Sequence, residues 1–183
     1  MKSRLAVRIL RAFGWRVVFP PPPPKAVVVL YPHTSNWDFI IGILTRAAID
    51  LPAHWGGKDT LFRGPLGPLF RALGGIPVNR RERTGFVTQM AAAFDTQDRF
   101  YLVLAPEGTR SLTPGWKSGF YRIALEAGVP LALAFIDYAR REAGIAEYLT
   151  LSGDEAADMA HIAASLQGRR GRRPELASPV RLL

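Results

Sequence analysis

Three runs of uncharged apolar residues, 26–30, 100–105 and 131–136, constrain this chain more than any other feature. Each is too short for an ordinary helix, rich in β-branched, aromatic or leucine residues, and bounded by chain breakers. Prolines 20–24 and Pro32 flank the first, Pro106 follows the second, and Gly128 with Pro130 precedes the third. Apolar runs without two-residue alternation read as strands buried on both faces. Between them the pattern becomes helical: 37–49 is mostly apolar and ends before Pro52, and 86–94 places Phe86, Met90 and Phe94 on one face. A third helical segment, 121–127, stops at Gly128, a favourable helix C-cap. Strands alternating with helices predict an α/β fold, a single domain with a mostly parallel central sheet flanked by helices. Residues 76–78 add a short strand. Residues 61–73 read as a helix broken at Gly64-Pro65 and Gly67-Pro68, whose apolar residues either join the core or line an acyl-chain groove.

Charge narrows the partners. The chain carries 24 Lys plus Arg against 15 Asp plus Glu, a net charge of +9 that favours anionic partners such as acidic lipid, phosphorylated substrates or nucleic acid. No helix-turn-helix, zinc-finger or aromatic RNA-binding signature accompanies the charge, so no nucleic acid is expected. The absence of cysteine excludes disulfides and a thiol nucleophile. Three scattered histidines do not suggest a metal site. Six basic and no acidic residues fall within 1–25, and a second basic cluster comprises Arg169, Arg170, Arg172 and Arg173. Residues 3–19 have helical spacing, with basic and apolar faces suited either to an anionic membrane interface or to packing on the domain. The five prolines after them predict a stiff spacer, giving a segment 1–25 set apart from a domain 26–183. No apolar stretch reaches the ~18–20 residues that span a bilayer, and arginines interrupt any secretory signal. The expectation is a cytoplasmic protein, peripheral on the cytoplasmic face of a membrane.

The chemistry-bearing residues follow the strands. His33 and Asp38 lie five positions apart just after the first run. On one continuous helix that spacing is about 140° of rotation, so the side chains meet only at a strand-to-helix corner. There Ser35 or Asn36 would cap the helix, and Asp38 in its first turn could orient the His33 ring and leave the other nitrogen free to take a proton. The second run ends in Pro106-Glu107-Gly108-Thr109-Arg110-Ser111. Ligands of α/β sheets gather at the carboxyl ends of strands, so both segments should share one edge. Gly108 permits a tight turn, Thr109 offers a hydroxyl, and Arg110 offers a planar fork for phosphate. Glu107 either binds an acceptor hydroxyl or organises the loop. Arg80, after the short strand, and Lys117 are further phosphate candidates.

Four blocks, His33 to Asp38, Gly75 to Arg80, Pro106 to Ser111 and Val129-Pro130-Leu131, occur in that order. In these the chain resembles the glycerolipid acyltransferases related to 1-acylglycerol-3-phosphate acyltransferase, over residues 27 to about 138. The resemblance implies that His33 is the general base, Asp38 its orienting partner, and Arg80, Glu107 and Arg110 contacts to acceptor or phosphate. It implies an acyl-CoA or acyl carrier protein donor, a lipid or alcohol acceptor, and no cofactor. Without a Gly-x-Ser-x-Gly elbow, the base would act directly on the acceptor hydroxyl and no acyl-enzyme would form. The competing readings are a thioesterase using the same site, in which water replaces the acceptor, and a non-catalytic basic protein binding membranes or nucleic acid.

Overall fold

The computed structural model describes residues 3–78 and 83–183 of the 183-residue chain. Its centre is a seven-stranded sheet in the order β1-β7-β6-β2-β5-β3-β4. The strands are β1 (Arg16–Val18), β2 (Lys25–Tyr31), β3 (Ala53–Lys58), β4 (Gly75–Val78), β5 (Phe100–Leu104), β6 (Leu131–Asp137) and β7 (Glu142–Leu149). β4, β3, β5, β2 and β6 run parallel. β7 pairs antiparallel with β6 and carries β1 parallel to itself at the edge. The three apolar runs thus become β2, β5 and β6, the adjacent central strands, buried throughout in β6 and over most of β2 and β5.

Helices cover both faces, and successive β2 residues divide between them. Val27 and Val29 enter the larger core with Phe94, Phe100, Phe120 and Leu133. That face is covered by α4 (Arg83–Asp95), α5 (Gly119–Glu126) and α6 (Glu155–Ser165). Ala26 and Val28 point the other way, towards α2 (Trp37–Ile49) and its neighbours Ile49 and Leu51. The broken segment forms a 3₁₀ turn at Asp59–Phe62 and then α3 (Gly67–Ala72). Its apolar residues split. Phe62 is buried beside Trp55 and Phe70, whereas Leu61, Leu66 and Leu69 are exposed.

The first 25 residues depart from expectation. α1 covers only Arg4–Ala12, capped by Ser3, whose Oγ accepts from the Ala6 N–H at 3.2 Å. The chain then turns, and Arg16–Val18 join the sheet as β1 instead of continuing the helix. α1 is also not held away from the body by the prolines. Ala6 and Leu10 pack with Trp15, Ile41, Ala48 and Ile136 into a third core cluster. The proline run itself is tied to β5, where the Phe100 N–H donates to the Pro24 carbonyl at 3.2 Å. Ala6 and Leu10 are the buried face of α1, and their packing with Ile41 and Ala48 seats the helix on α2. Among the described residues no helix is long and apolar enough to cross a membrane.

Candidate active site

Parallel pairing aligns Val29 with Leu104 and Tyr31 with Phe135, so β2, β5 and β6 end side by side. The segments leaving these ends meet at one place. After β2 the Tyr31–Pro32 peptide is cis, and residues 33–36 form the corner before α2. Asp38, the second residue of α2, turns back over that corner. Its Oδ2 accepts from the N–H groups of Thr34 and Ser35, both at 2.8 Å. Asn36, at the cap position, makes no side-chain cap bond, while Ser35 Oγ accepts from the Trp37 N–H at 3.2 Å. The aspartate therefore holds the turn that presents the histidine.

Nδ1 of His33 lies 3.2 Å from Oδ2 of Asp38. This is a hydrogen-bonding separation, although the approach is bent away from ideal N–H geometry. Asp38 is fully buried. Burial alone would push its carboxyl up, but the adjacent His33 ring and hydrogen bonds from the Ser35 N–H and the Tyr138 hydroxyl outweigh burial and hold it below the usual aspartate range. Tyr138, in the loop after β6, donates its hydroxyl to Oδ1 at 2.8 Å. Burial and that bond to a carboxylate push the Tyr138 hydroxyl well above an ordinary phenol. Nε2 of His33 has no protein partner among the described residues, which leaves it available for proton transfer if Nδ1 carries the hydrogen.

Glu107 lies behind this corner. Its Oε2 accepts from the His33 N–H at 2.7 Å and its Oε1 from the Ser178 N–H at 2.8 Å. It is 2% exposed, and burial pushes its pKa up despite those bonds. Of the two readings of Glu107, the geometry favours loop organisation: both oxygens are occupied by backbone amides. Gly108 has φ 67°, a left-handed conformation, and the Lys117 side chain lies across it. A Cβ there would sit 3.0 Å from both Cε and Nζ of the lysine. Lys117 also donates its backbone N–H to the Pro106 carbonyl at 2.9 Å, which joins the two candidate segments. Thr109 and Arg110 are exposed. Thr109 Oγ1 accepts from the Ser111 N–H at 3.3 Å, and Arg110 makes no ion pair among the described residues. Arg80 lies outside the described residues.

A cavity of about 180 Å³ runs between α2 and the sheet, with His33 and Asp38 in its lining. Phe39, Gly42, Ile43 and Ile49 line it from α2, and Val28, Leu30, Val103 and Ala134 from the sheet. From Asp38 to Ile49 the helix rises ~16 Å. The cavity lining is largely apolar, with Thr45 and Arg46 as polar members at the end of α2 away from His33. No residue of 61–73 lines this space; from the neighbouring β3, Ala53, Trp55 and Gly56 contribute.

Sequence reasoning missed Tyr138, Thr34 and Ser178. Tyr138 could have been found by applying to the third apolar run the rule applied to the first two, namely that site residues follow strand ends. Ser178 carries no comparable signal, because its place depends on the path of the chain after α6.

A histidine in contact with a buried aspartate therefore stands at the carboxyl edge of a parallel sheet, beside an apolar cavity. A model of the acyltransferase family matches residues 19–134, more than half of the chain, and the chain belongs to that family. It is an enzyme of the acyl-transfer class. Among solved structures, the crystal structure of the 1-acyl-sn-glycerophosphate (LPA) acyltransferase PlsC from Thermotoga maritima is similar, with a TM-score of 0.58 and 21% identity. The match covers 91% of this chain and 78% of that one, and is a likeness of fold. No curated protein matches.

Proposed function

We propose that the protein transfers a fatty acyl group from an acyl thioester, carried by CoA or acyl carrier protein, to the hydroxyl of a phosphorylated, glycerolipid-like acceptor. The observation that carries this reading is the His33–Asp38 contact at 3.2 Å beside a largely apolar cavity. An alcohol is a weak nucleophile until a base removes its proton during attack. Nε2 of His33 takes that proton as the hydroxyl oxygen bonds to the thioester carbonyl carbon. The C–S bond then breaks, and the departing thiolate takes the proton from the imidazolium. Base assistance of this kind is worth ~10²- to 10⁴-fold. Asp38 and Tyr138 act through the histidine as positioning residues. The cavity holds the acyl chain, and Arg110 and Lys117, with Arg80, attract the phosphate of the acceptor.

The exposed side of α1 supports peripheral binding to anionic membranes, with Arg4, Arg8 and Arg11 for headgroups. Leu5 and Phe13, 67% and 69% exposed, would enter the acyl boundary.

The decisive assay follows thioester consumption by the purified protein with lysophosphatidate, glycerol 3-phosphate, monoacylglycerol or water as acceptor. Transfer to a phosphorylated acceptor, lost in His33→Ala at unchanged melting temperature, is the expected result. Undiminished turnover by His33→Ala would remove the histidine from the mechanism, and consumption with water alone would make the protein a thioesterase. Cosedimentation with phosphatidylglycerol vesicles tests the membrane contact. Arg8→Glu should abolish it, and wild-type protein remaining in the supernatant would refute it.

A further inference from the structure

The second basic cluster is not a solvated tail. Residues 169–178 lie beyond the stretch matched by the family model, yet they cross the candidate site from one side to the other. At one end the Tyr138 N–H donates to the Arg170 carbonyl at 2.9 Å, and Tyr138 is the residue that bonds Asp38. In the middle the Arg173 N–H donates to Thr34 Oγ1 at 3.2 Å, one residue beyond His33. At the other end Ser178 donates to Glu107, which also holds the His33 amide. Gly171 is buried against the corner so closely that a Cβ would lie 2.5 Å from Thr34 Oγ1. Main-chain bonds thus hold the strap, and do not use the side chains of Arg172 and Arg173.

Arg169 is used structurally. Its guanidinium lies 3.6 Å from the Phe135 ring centre and pairs with Glu142 at 3.5 Å. Arg172 and Arg173 differ: both are exposed, and neither has a carboxylate partner among the described residues. Arg172 sits 5.3 Å from the ring centre of Trp37, the first residue of α2, and its charge acts on the Tyr138 hydroxyl. The main chain that carries these two arginines is therefore anchored on Thr34, the residue after His33. Guanidinium forks bind phosphate oxygens in pairs, and fixing the backbone that carries them lowers the ordering cost of binding.

We propose that Arg172 and Arg173, carried on this strap beside His33, form a binding site for a phosphate group of a substrate. The proposal rests on the acyl-transfer reading for the identity of that substrate. Two sources share the chemistry, the phosphates of a CoA donor and the phosphate monoester of the acceptor. Titration calorimetry with CoA and, separately, with a soluble short-chain lysophosphatidate distinguishes them. The Arg172→Gln/Arg173→Gln double variant should bind at least one ligand about tenfold or more weakly. The ligand that loses affinity identifies the source. Arg99→Gln/Arg122→Gln removes the same net charge elsewhere and should stay within about twofold of wild type. Because the strap is held by its backbone, the double variant should melt within about 2 °C of wild type. Its binding is compared with that of Arg172→Gln and Arg173→Gln singly, which perturb the fold less and should each show part of the loss. Equal affinities in wild type and all strap variants, equal losses in the control, or no wild-type binding of either ligand would overturn the site. No turnover is involved, so a failure of His33→Ala to abolish transfer would count against the catalytic reading and leave this one standing.

Discussion

Asp38 and Asp158 are built alike and lie in different parts of the molecule. Each is a buried aspartate near the start of a helix, accepting backbone N–H bonds from the preceding turn and a hydroxyl bond from a distant tyrosine. Asp38 takes Thr34, Ser35 and Tyr138. Asp158 takes the amides of Ser152 and Gly153, the Ser152 hydroxyl, and Tyr121 at 2.8 Å. In both, hydrogen bonds outweigh burial and hold the carboxyl below its usual range. Both tyrosines are pushed up, mainly by burial, Tyr121 to about 12. The difference is what else touches the carboxylate. Asp38 has His33 against it and contributes to the cavity lining, whereas Asp158 does neither. A perturbed buried aspartate is therefore a way to lock a helix start, and it becomes part of a reactive site only when a base and a substrate space are placed beside it.

The largest effect that would break this comparison is at the histidine. His33→Ala should lower acyl transfer by ~10²- to 10⁴-fold with little change in stability, read by turnover and thermal melting. The paired aspartates come next. Asp38→Asn and Asp158→Asn should each lose about 2–3 kcal/mol in urea unfolding, through weakened bonds to buried donors. Only Asp38→Asn should also lose kcat in protein that remains folded. A kcat deficit of the same size in Asp158→Asn would end the distinction. Smaller still, Tyr138→Phe and Tyr121→Phe should each cost ~1 kcal/mol, and only the former should slow turnover.

The pH dependence of stability sharpens the contrast between Asp38 and Glu107. A folded-state pKa below the unfolded value gives stability that is present above the ordinary aspartate range and is lost as pH falls through the folded value. The penalty of Asp38→Asn should therefore be full at neutral pH and shrink below about pH 4. Glu107 has the opposite sign, its pKa being raised by burial. Its contribution is full below the usual glutamate value and declines as pH rises through the higher folded value. The penalty of Glu107→Gln should accordingly be larger in acid than at neutral pH. Parallel pH curves for the two variants would contradict the assigned directions.

Much of the fold was legible because it rests on local pattern. The three central strands are continuous apolar runs, and α2 begins and ends at the expected residues, Trp37 and Ile49. β7 was not read, because its sequence, Glu142–Leu149, mixes glutamates and glycine with apolar residues and acquires its place only by pairing with β6 and β1. β1 was hidden inside a helical spacing for a similar reason: three residues of edge strand carry too little pattern to outweigh the preceding helix. At the site, the spacing of His33 and Asp38 was compatible with contact across a strand-to-helix corner but weak on its own, and the blocks that follow in order gave the pair its weight. Glu107 was placed at the correct edge, but its occupation by two backbone amides was not readable, since one of them belongs to Ser178, 71 residues away.

By itself, the sequence determined the mostly parallel sheet, the shared edge at which the His33 and Glu107 segments emerge, and a corner that lets His33 meet Asp38. These depend on residue type and short separations, through burial of apolar strands and the geometry of one turn. Tertiary structure alone decided that α1 packs on α2, that Tyr138 completes the aspartate's bonds, and that residues 170–178 cross the histidine corner. Those contacts join segments whose separation along the chain carries no periodic signal, and they form only once the sheet has brought its strand ends together.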